Sequence, residues 1–310
     1  MADQPTQQPQ PQMTAGQYFH AMNPKLVVPG ETMADEGFTM FVFGDYKTWK
    51  TTIAGTFPGV LFLSCQMEGG DRSLLQLPKI YPGVPVPPVW PIKSPTDMQQ
   101  AVLWIERDAR RQGFCTIVID SLSYYIDLWI SDLMEQRKRS LPKGLESTDA
   151  VQMRKPDWGA LESHICKEVA KRLHSTGLNV IWTCTEKKLM RQNEKDQTQD
   201  IVGLTPRVVG GSEKVIGMCS IMAHAARQLV PDQKNMGRAV HDVIWWLQPG
   251  FLTSGIGHRF GLSFPEGRLV PAPGRASIDF WSFFHKIPND IYLGPYRQQY
   301  MQQLQTMTRG

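Results

Sequence analysis

Lys50 and Thr51 close a stretch, Phe41-Val42-Phe43-Gly44-Asp45-Tyr46-Lys47-Thr48-Trp49-Lys50-Thr51-Thr52, whose residue types and spacing suit phosphate chemistry. In the Walker A pattern G-x-x-x-x-G-K-[ST], backbone N–H groups wrap the phosphates. The lysine reaches the β- and γ-phosphates, and the hydroxyl ligates Mg²⁺. Gly44, Lys50 and Thr51 hold their places, but Trp49 stands where the pattern has its second glycine. Glycine there allows tight curvature and close approach to phosphate. A tryptophan fits that place if the local φ is negative. The loop from Gly44 through Asp45, Tyr46, Lys47, Thr48, Trp49, Lys50 and Thr51 to Thr52 is the expected nucleotide-binding segment.

Two carboxylates fall where such chemistry needs them. Glu68 follows an apolar run, Val60 to Cys65, beside Gly69-Gly70. A carboxylate past a strand tip can orient or deprotonate an attacking water. A solvated loop glutamate is the plainer alternative. Asp120 ends Cys115-Thr116-Ile117-Val118-Ile119-Asp120-Ser121, a Walker B pattern whose aspartate holds Mg²⁺ beside the Walker A threonine, here Thr51. Thr183 and Thr185, at the end of Leu178 to Thr185, are hydroxyls that could sense a terminal phosphate, or ordinary strand threonines.

The elements that must position these groups alternate in the manner of an α/β sheet. Strands are expected at Thr39–Phe43, Val60–Cys65, Cys115–Ser121 and Leu178–Thr185, each a short apolar run bounded by turn residues. A helix with Asp97 as its N-cap runs to Gly113. A second helix, about Trp158 to Ser175, carries Leu161, Ile165, Val169 and Leu173 at spacings of four, and Gly177 closes it. Val243–Leu247 and Arg268–Val270 read as closing strands. Leu77 to Pro95 holds seven prolines, which speaks against helix or central strand and for a long surface loop.

The ordered set Gly44…Lys50-Thr51-Thr52, Glu68-Gly69-Gly70, Ile117 to Ser121 and Val180 to Thr183 resembles the RecA-like ATPase core. More narrowly, it is similar to phage ATP-binding proteins of the RecA-like single-strand annealing group. Leu204 to Gly210 and His258 to Pro265 fit that group as well, so the resemblance covers roughly residues 37 to 270. It implies a RecA-like P-loop NTPase core with a mostly parallel sheet flanked by helices. It also implies ATP and Mg²⁺ as cofactors, homo-oligomers, single-stranded DNA as partner, and a role in phage recombination or replication in the bacterial host cytoplasm. Arg259 sits where such assemblies use a basic residue to reach a neighbouring subunit's γ-phosphate; a structural arginine is the alternative. Trp49 is the departure from the family.

The resemblance also places DNA on two loops. One runs from Glu135 through Arg137-Lys138-Arg139 to Lys143-Gly144 and on to Arg154-Lys155 and Trp158, although a charged helix end explains the basic triplet as well. The other runs from Glu186 to about Gly211 and mixes both signs of charge. A nucleotide-gated binding or loading module with little hydrolysis is the first rival function, and Trp49 favours it. A small-molecule phosphotransferase is the second, but no arginine-rich lid accompanies the loop.

The whole chain fits this reading. Its 310 residues are 41% hydrophobic and 20% charged, ordinary values for a globular protein, and its net charge of +4 is compatible with nucleic acid. The five cysteines lack C-x-x-C pairing and read as buried thiols, and the histidines have no metal-like spacing. No apolar run reaches membrane-spanning length. Residues 1–20 form a Gln/Pro-rich tail expected to be disordered, 21–285 the ATPase domain, and 286–310 a Gln-rich C-terminal tail.

Overall fold

A computed structural model describes residues 37, 39–57, 59–65, 70–80, 84–140, 152–192, 199–209, 212–231, 239–246, 257–258 and 268–269. Both tails, Glu68 and Arg259 lie outside the described residues. The ten strands are β1 (Thr39–Gly44), β2 (Val60–Ser64), β3 (Val89–Pro91), β4 (Thr116–Asp120), β5 (Asn179–Gln192), β6 (Gln199–Pro206), β7 (Ile221–Pro231), β8 (Ala239–Trp246), β9 (Gly257–His258) and β10 (Arg268–Leu269). They join in the order β10-β8-β7-β1-β5-β4-β2-β3, with β6 on β5 and β9 on β7. From β7 to β3 every neighbour is parallel, and β8 and β10 close the sheet antiparallel. This mostly parallel sheet flanked by helices is the expected RecA-like P-loop NTPase architecture.

The central strands are apolar on both faces because both faces are covered. On one face Phe41, Phe43, Leu61, Leu63, Ile117, Ile119, Val180 and Trp182 meet the helices in a single cluster. The helix that begins Lys155–Ser163 and continues through His164–Lys171 and Arg172–His174 supplies Leu161, Ile165, Val169 and Leu173, all fully buried. It starts three residues before the expected Trp158, because Pro156 suits a first helical turn.

Several expectations are corrected. The helix expected to be capped by Asp97 is Pro95–Trp104, continuing through Ile105–Ala109. Its cap is Ser94, whose Oγ accepts from Asp97 N at 3.1 Å, while Asp97 Oδ2 accepts from Lys93 N at 2.9 Å. Asp97 therefore stands at the third helical position, reaching back past the cap. Gly113, at φ +84°, does end this segment as read. The proline-rich stretch contains one helical turn, Leu77–Ile80, and the edge strand β3. Pro78 sits in a first turn, where its missing N–H is harmless, and Pro91 lies at the sheet edge.

Several elements are not legible in the sequence. β7 lies directly beside β1, yet its opening Ile221-Met222-Ala223-His224-Ala225 has little β-branched signal. A helix, Leu122–Ser140, follows β4 at once and carries Arg137-Lys138-Arg139 in its last turn. Arg137 is also committed internally: it pairs with Asp157 and donates to Gln152 O at 2.9 Å. Finally, β5 does not stop at Thr185. From Glu186 it leaves the sheet and pairs antiparallel with β6, making a hairpin of the segment read as a loop.

Candidate functional site

We number the helices α1 (Lys50–Ala54), α2 (Leu77–Ile80), α3 (Pro95–Trp104), α4 (Leu122–Ser140), α5 (Lys155–Ser163) and α6 (Lys214–Met218). The candidate site is the carboxyl end of the parallel strands. There β1 ends at Gly44, β4 at Asp120, and β5 passes between them. Parallel pairing sets these ends level: Gly44 lies opposite Thr185 on β5 and Ala225 on β7.

Gly44 must be glycine here, because a Cβ would lie 2.1 Å from Ala225 O. The chain then turns through Asp45, Tyr46, Lys47, Thr48 and Trp49 into α1. Lys47 and Trp49 hold φ of 59° and 63°. The expectation that Trp49 would fit with a negative φ is thus overturned. The loop keeps the left-handed turn that glycine adopts freely and imposes it on a bulky side chain. Trp49 O accepts from Ile53 N at 2.9 Å, so this residue starts α1.

Lys50 lies back across its own loop. Its Nζ donates to Gly44 O at 2.9 Å, Asp45 O at 2.7 Å and Thr48 Oγ1 at 3.2 Å. Thr48 Oγ1 donates in turn to Asp45 O at 2.8 Å, and Asp45 Oδ1 accepts from Tyr46 N at 2.7 Å. Burial pushes the Lys50 ammonium below its ordinary value, while Asp120, Glu186 and Asp45 pull it back. A phosphate offers this ammonium the same oxygen partners with full negative charge.

Thr51 Oγ1 donates to Asp120 Oδ2 at 2.6 Å, and Thr183 Oγ1 donates to Asp120 Oδ1 at 2.7 Å. Thr51 and Asp120, far apart in sequence, thus meet as the Walker patterns require. A hydroxyl and a carboxylate are hard oxygen donors of the kind that hold Mg²⁺, so the pair fits that ion. Thr52 is buried in the first turn of α1. Of the two candidate hydroxyls on β5, Thr183 joins the carboxylate. Thr185 turns to Ser123 of α4, donating through Oγ1 at 2.9 Å and through N at 2.9 Å. The Asp120–Ser121 peptide bond is cis.

Two further groups stand here that the sequence reading passed over. His224 of β7 and Glu186 of β5 pair at 2.9 Å across the tip of β1, with the His224 ring 4.8 Å from that of Phe43. A carboxylate after the apolar part of a strand, as Asp120 is on β4, is the signal that Glu186 carried; His224 had none, because the opening of β7 has little strand preference. Among the described residues no group of three His, Cys, Asp or Glu side chains is arranged to hold a metal. No helix among them is long and apolar enough to cross a membrane. None of the five cysteines forms a disulfide, and burial pushes the thiols of Cys115 and Cys184 up to about 11.

A family model described as an AAA domain matches residues 36–246. No curated protein matches the chain. Among solved structures, the chain is similar to a RadB recombinase, at 11% identity and a TM-score of 0.36 over 67% of this chain and 87% of that one. It is also similar to the flagellar accessory protein FlaH from Methanocaldococcus jannaschii, at 8% identity and a TM-score of 0.39 over 83% and 92%.

Proposed function

The chain belongs to the AAA domain family, and on that premise we propose that it is a RecA-like ATPase that binds ATP with Mg²⁺ and acts on single-stranded DNA. The observation that carries the reading is the meeting of Thr51 with Asp120 at 2.6 Å beside Lys50, on the strand ends where the loop turns into α1. Lys50 and the amides of the Gly44–Thr52 loop hold the phosphates. Thr51 and Asp120 hold Mg²⁺, which neutralises charge on the phosphate oxygens when bound. Glu68 orients the attacking water, and Arg259 reaches the γ-phosphate of a neighbouring subunit in a homo-oligomer. The β5–β6 hairpin supports the DNA partner. It exposes Lys187 and Lys188 for phosphates, with Leu189, Met190 and Ile201 as apolar surface. A place in phage recombination or replication rests on the resemblance of the sequence motifs.

One observation favours a second reading, a nucleotide-gated binding module with little turnover. Trp49 holds the left-handed turn of the loop while Lys50 is bound by the loop's own carbonyls. Steady-state ATP hydrolysis with Mg²⁺, with and without single-stranded DNA and beside Lys50→Ala, separates the two. DNA-stimulated turnover that Lys50→Ala abolishes supports the ATPase. Turnover no higher than in Lys50→Ala sinks it and leaves the binding module.

A further inference from the structure

Among the described residues, one buried side-chain oxygen finds no hydrogen-bond partner: Ser121 Oγ. Ser121 is 3% exposed, follows Asp120 at the tip of β4 and immediately precedes the 19-residue α4. Its carbonyl accepts from Tyr125 N at 3.0 Å, so it occupies the N-cap place of that helix. A serine there ordinarily uses its oxygen to accept an N–H from the first turn. Ser121 does not, and a buried hydroxyl left unmet destabilises the fold.

The neighbouring hydroxyls show that this end of the sheet offers partners readily. Thr51 and Thr183 are bonded to Asp120, and Thr185 to Ser123. Ser121 alone is left over, at the amino end of a long helix, where free N–H groups and the helix dipole favour an anion. The tip of β2 is stitched to the same point, since Cys65 N donates to Asp120 O at 2.8 Å. A phosphate that takes Lys50 Nζ from Gly44 O and Asp45 O reshapes the loop next to the Thr51–Asp120 bond. Ser121, which follows Asp120, therefore lies beside the segment that nucleotide binding changes.

We propose that Ser121 Oγ and the amino end of α4 form a contact for the terminal phosphate, the hydroxyl donating to a γ-phosphate oxygen of a bound nucleoside triphosphate. A diphosphate leaves that hydroxyl unmet. The proposal rests on reading the Lys50 loop as a nucleotide site and adds discrimination between tri- and diphosphate to it.

Calorimetric titration of the full chain with Mg·ATPγS and with Mg·ADP tests it, using wild type, Ser121→Ala, Ser121→Cys and Lys50→Ala. Ser121→Ala is expected to bind ADP as wild type does and ATPγS about tenfold or more weakly, the loss of one hydrogen bond to a charged group. Its melting temperature without nucleotide stays level or rises, because an unmet polar group has been removed. Ser121→Cys, close in shape and a weak donor, shows the same split should the alanine variant fold poorly. Equal losses for both nucleotides, or none, overturn the proposal, as does a fall in melting temperature with no split. Wild type binding neither nucleotide defeats the phosphate-loop reading and this proposal together. Wild type binding both, with Lys50→Ala binding neither and the Ser121 variants without a split, defeats this proposal alone.

Discussion

Trp49 concentrates the tension at the residue scale. A left-handed backbone costs a bulky L-residue about 1–2 kcal/mol, and glycine escapes that cost. Trp49→Gly is therefore expected to raise the melting temperature by roughly 2–4 °C in thermal denaturation without nucleotide. A fall instead means that the packing of the half-buried indole outweighs the turn. Asp120 is the other pivotal residue, because its two oxygens accept from Thr51 and Thr183. Asp120→Asn turns one acceptor into a donor and removes the charge that would face a cation. Nucleotide affinity measured with and without Mg²⁺ should then lose its dependence on the ion. Lys50, Thr51 and Asp120 were legible in the sequence because each belongs to a local pattern. The backbone sign at Trp49 was not, since a one-letter departure does not reveal whether the loop changes shape or the residue accepts strain. Thr183 and Thr185 were legible only as a pair. The choice between them follows from which neighbour, Asp120 or Ser123, each side chain meets.

At the scale of elements, close approach and burial decide the outcomes. β1 and β7 are so near that a Cβ on Gly44 would overlap Ala225 O at 2.1 Å, a backbone atom that cannot swing aside. Gly44→Ala should destabilise the protein by about 1–3 kcal/mol or more, read as a shift in the denaturant midpoint. Where the last turn after α5 meets β5, Trp182 Nε1 donates to His174 Nε2 at 3.1 Å, which requires a neutral imidazole. Burial lowers the His174 pKa from 6.5 to about 4. In the unfolded chain His174 takes a proton as pH falls through 6.5; in the folded chain it does so only near 4. The stability it contributes is therefore present above about 6.5 and lost between there and 4, at up to about 1.4 kcal/mol per pH unit. Denaturant melts at pH 7 and pH 5 should differ by less in His174→Gln than in wild type. The strands and helices with strong periodicity were legible: β1, β2, β4, the first part of β5, and the helix bearing Leu161 to Leu173. β7 was not, because alanine and methionine carry little strand preference, and its neighbour β1 lies far upstream. The hairpin was missed because charged residues in an arm that leaves the sheet lack the apolar signature of a strand.

For the whole molecule, the sheet end and the hairpin form one continuous piece, since β5 is both the strand beside Asp120 and the first arm of the hairpin. If that arm meets DNA, Lys187→Ala with Lys188→Ala should weaken single-strand binding alike for all sequences. The slope of log affinity against log salt should fall by roughly 1.4, the release expected for two phosphate contacts on a single strand. An unchanged slope assigns these lysines elsewhere. The strand order also dictates how the chain can be made. β1, the strand that leads into the phosphate loop, has neither neighbour nearby in sequence: Thr39 pairs with Val180, and Met40 with Ile221. During synthesis at about 5–20 residues per second, β1 leaves the ribosome and waits roughly seven to thirty seconds for β5, and longer for β7. Throughout that interval Met40, Phe41, Val42 and Phe43, which end fully buried, lack the strands that will flank them. An apolar strand without its partners is the kind of segment holdase chaperones cover, so this stretch is expected to need them until β5 and β7 have emerged, and the Gly44–Thr52 loop to settle after that.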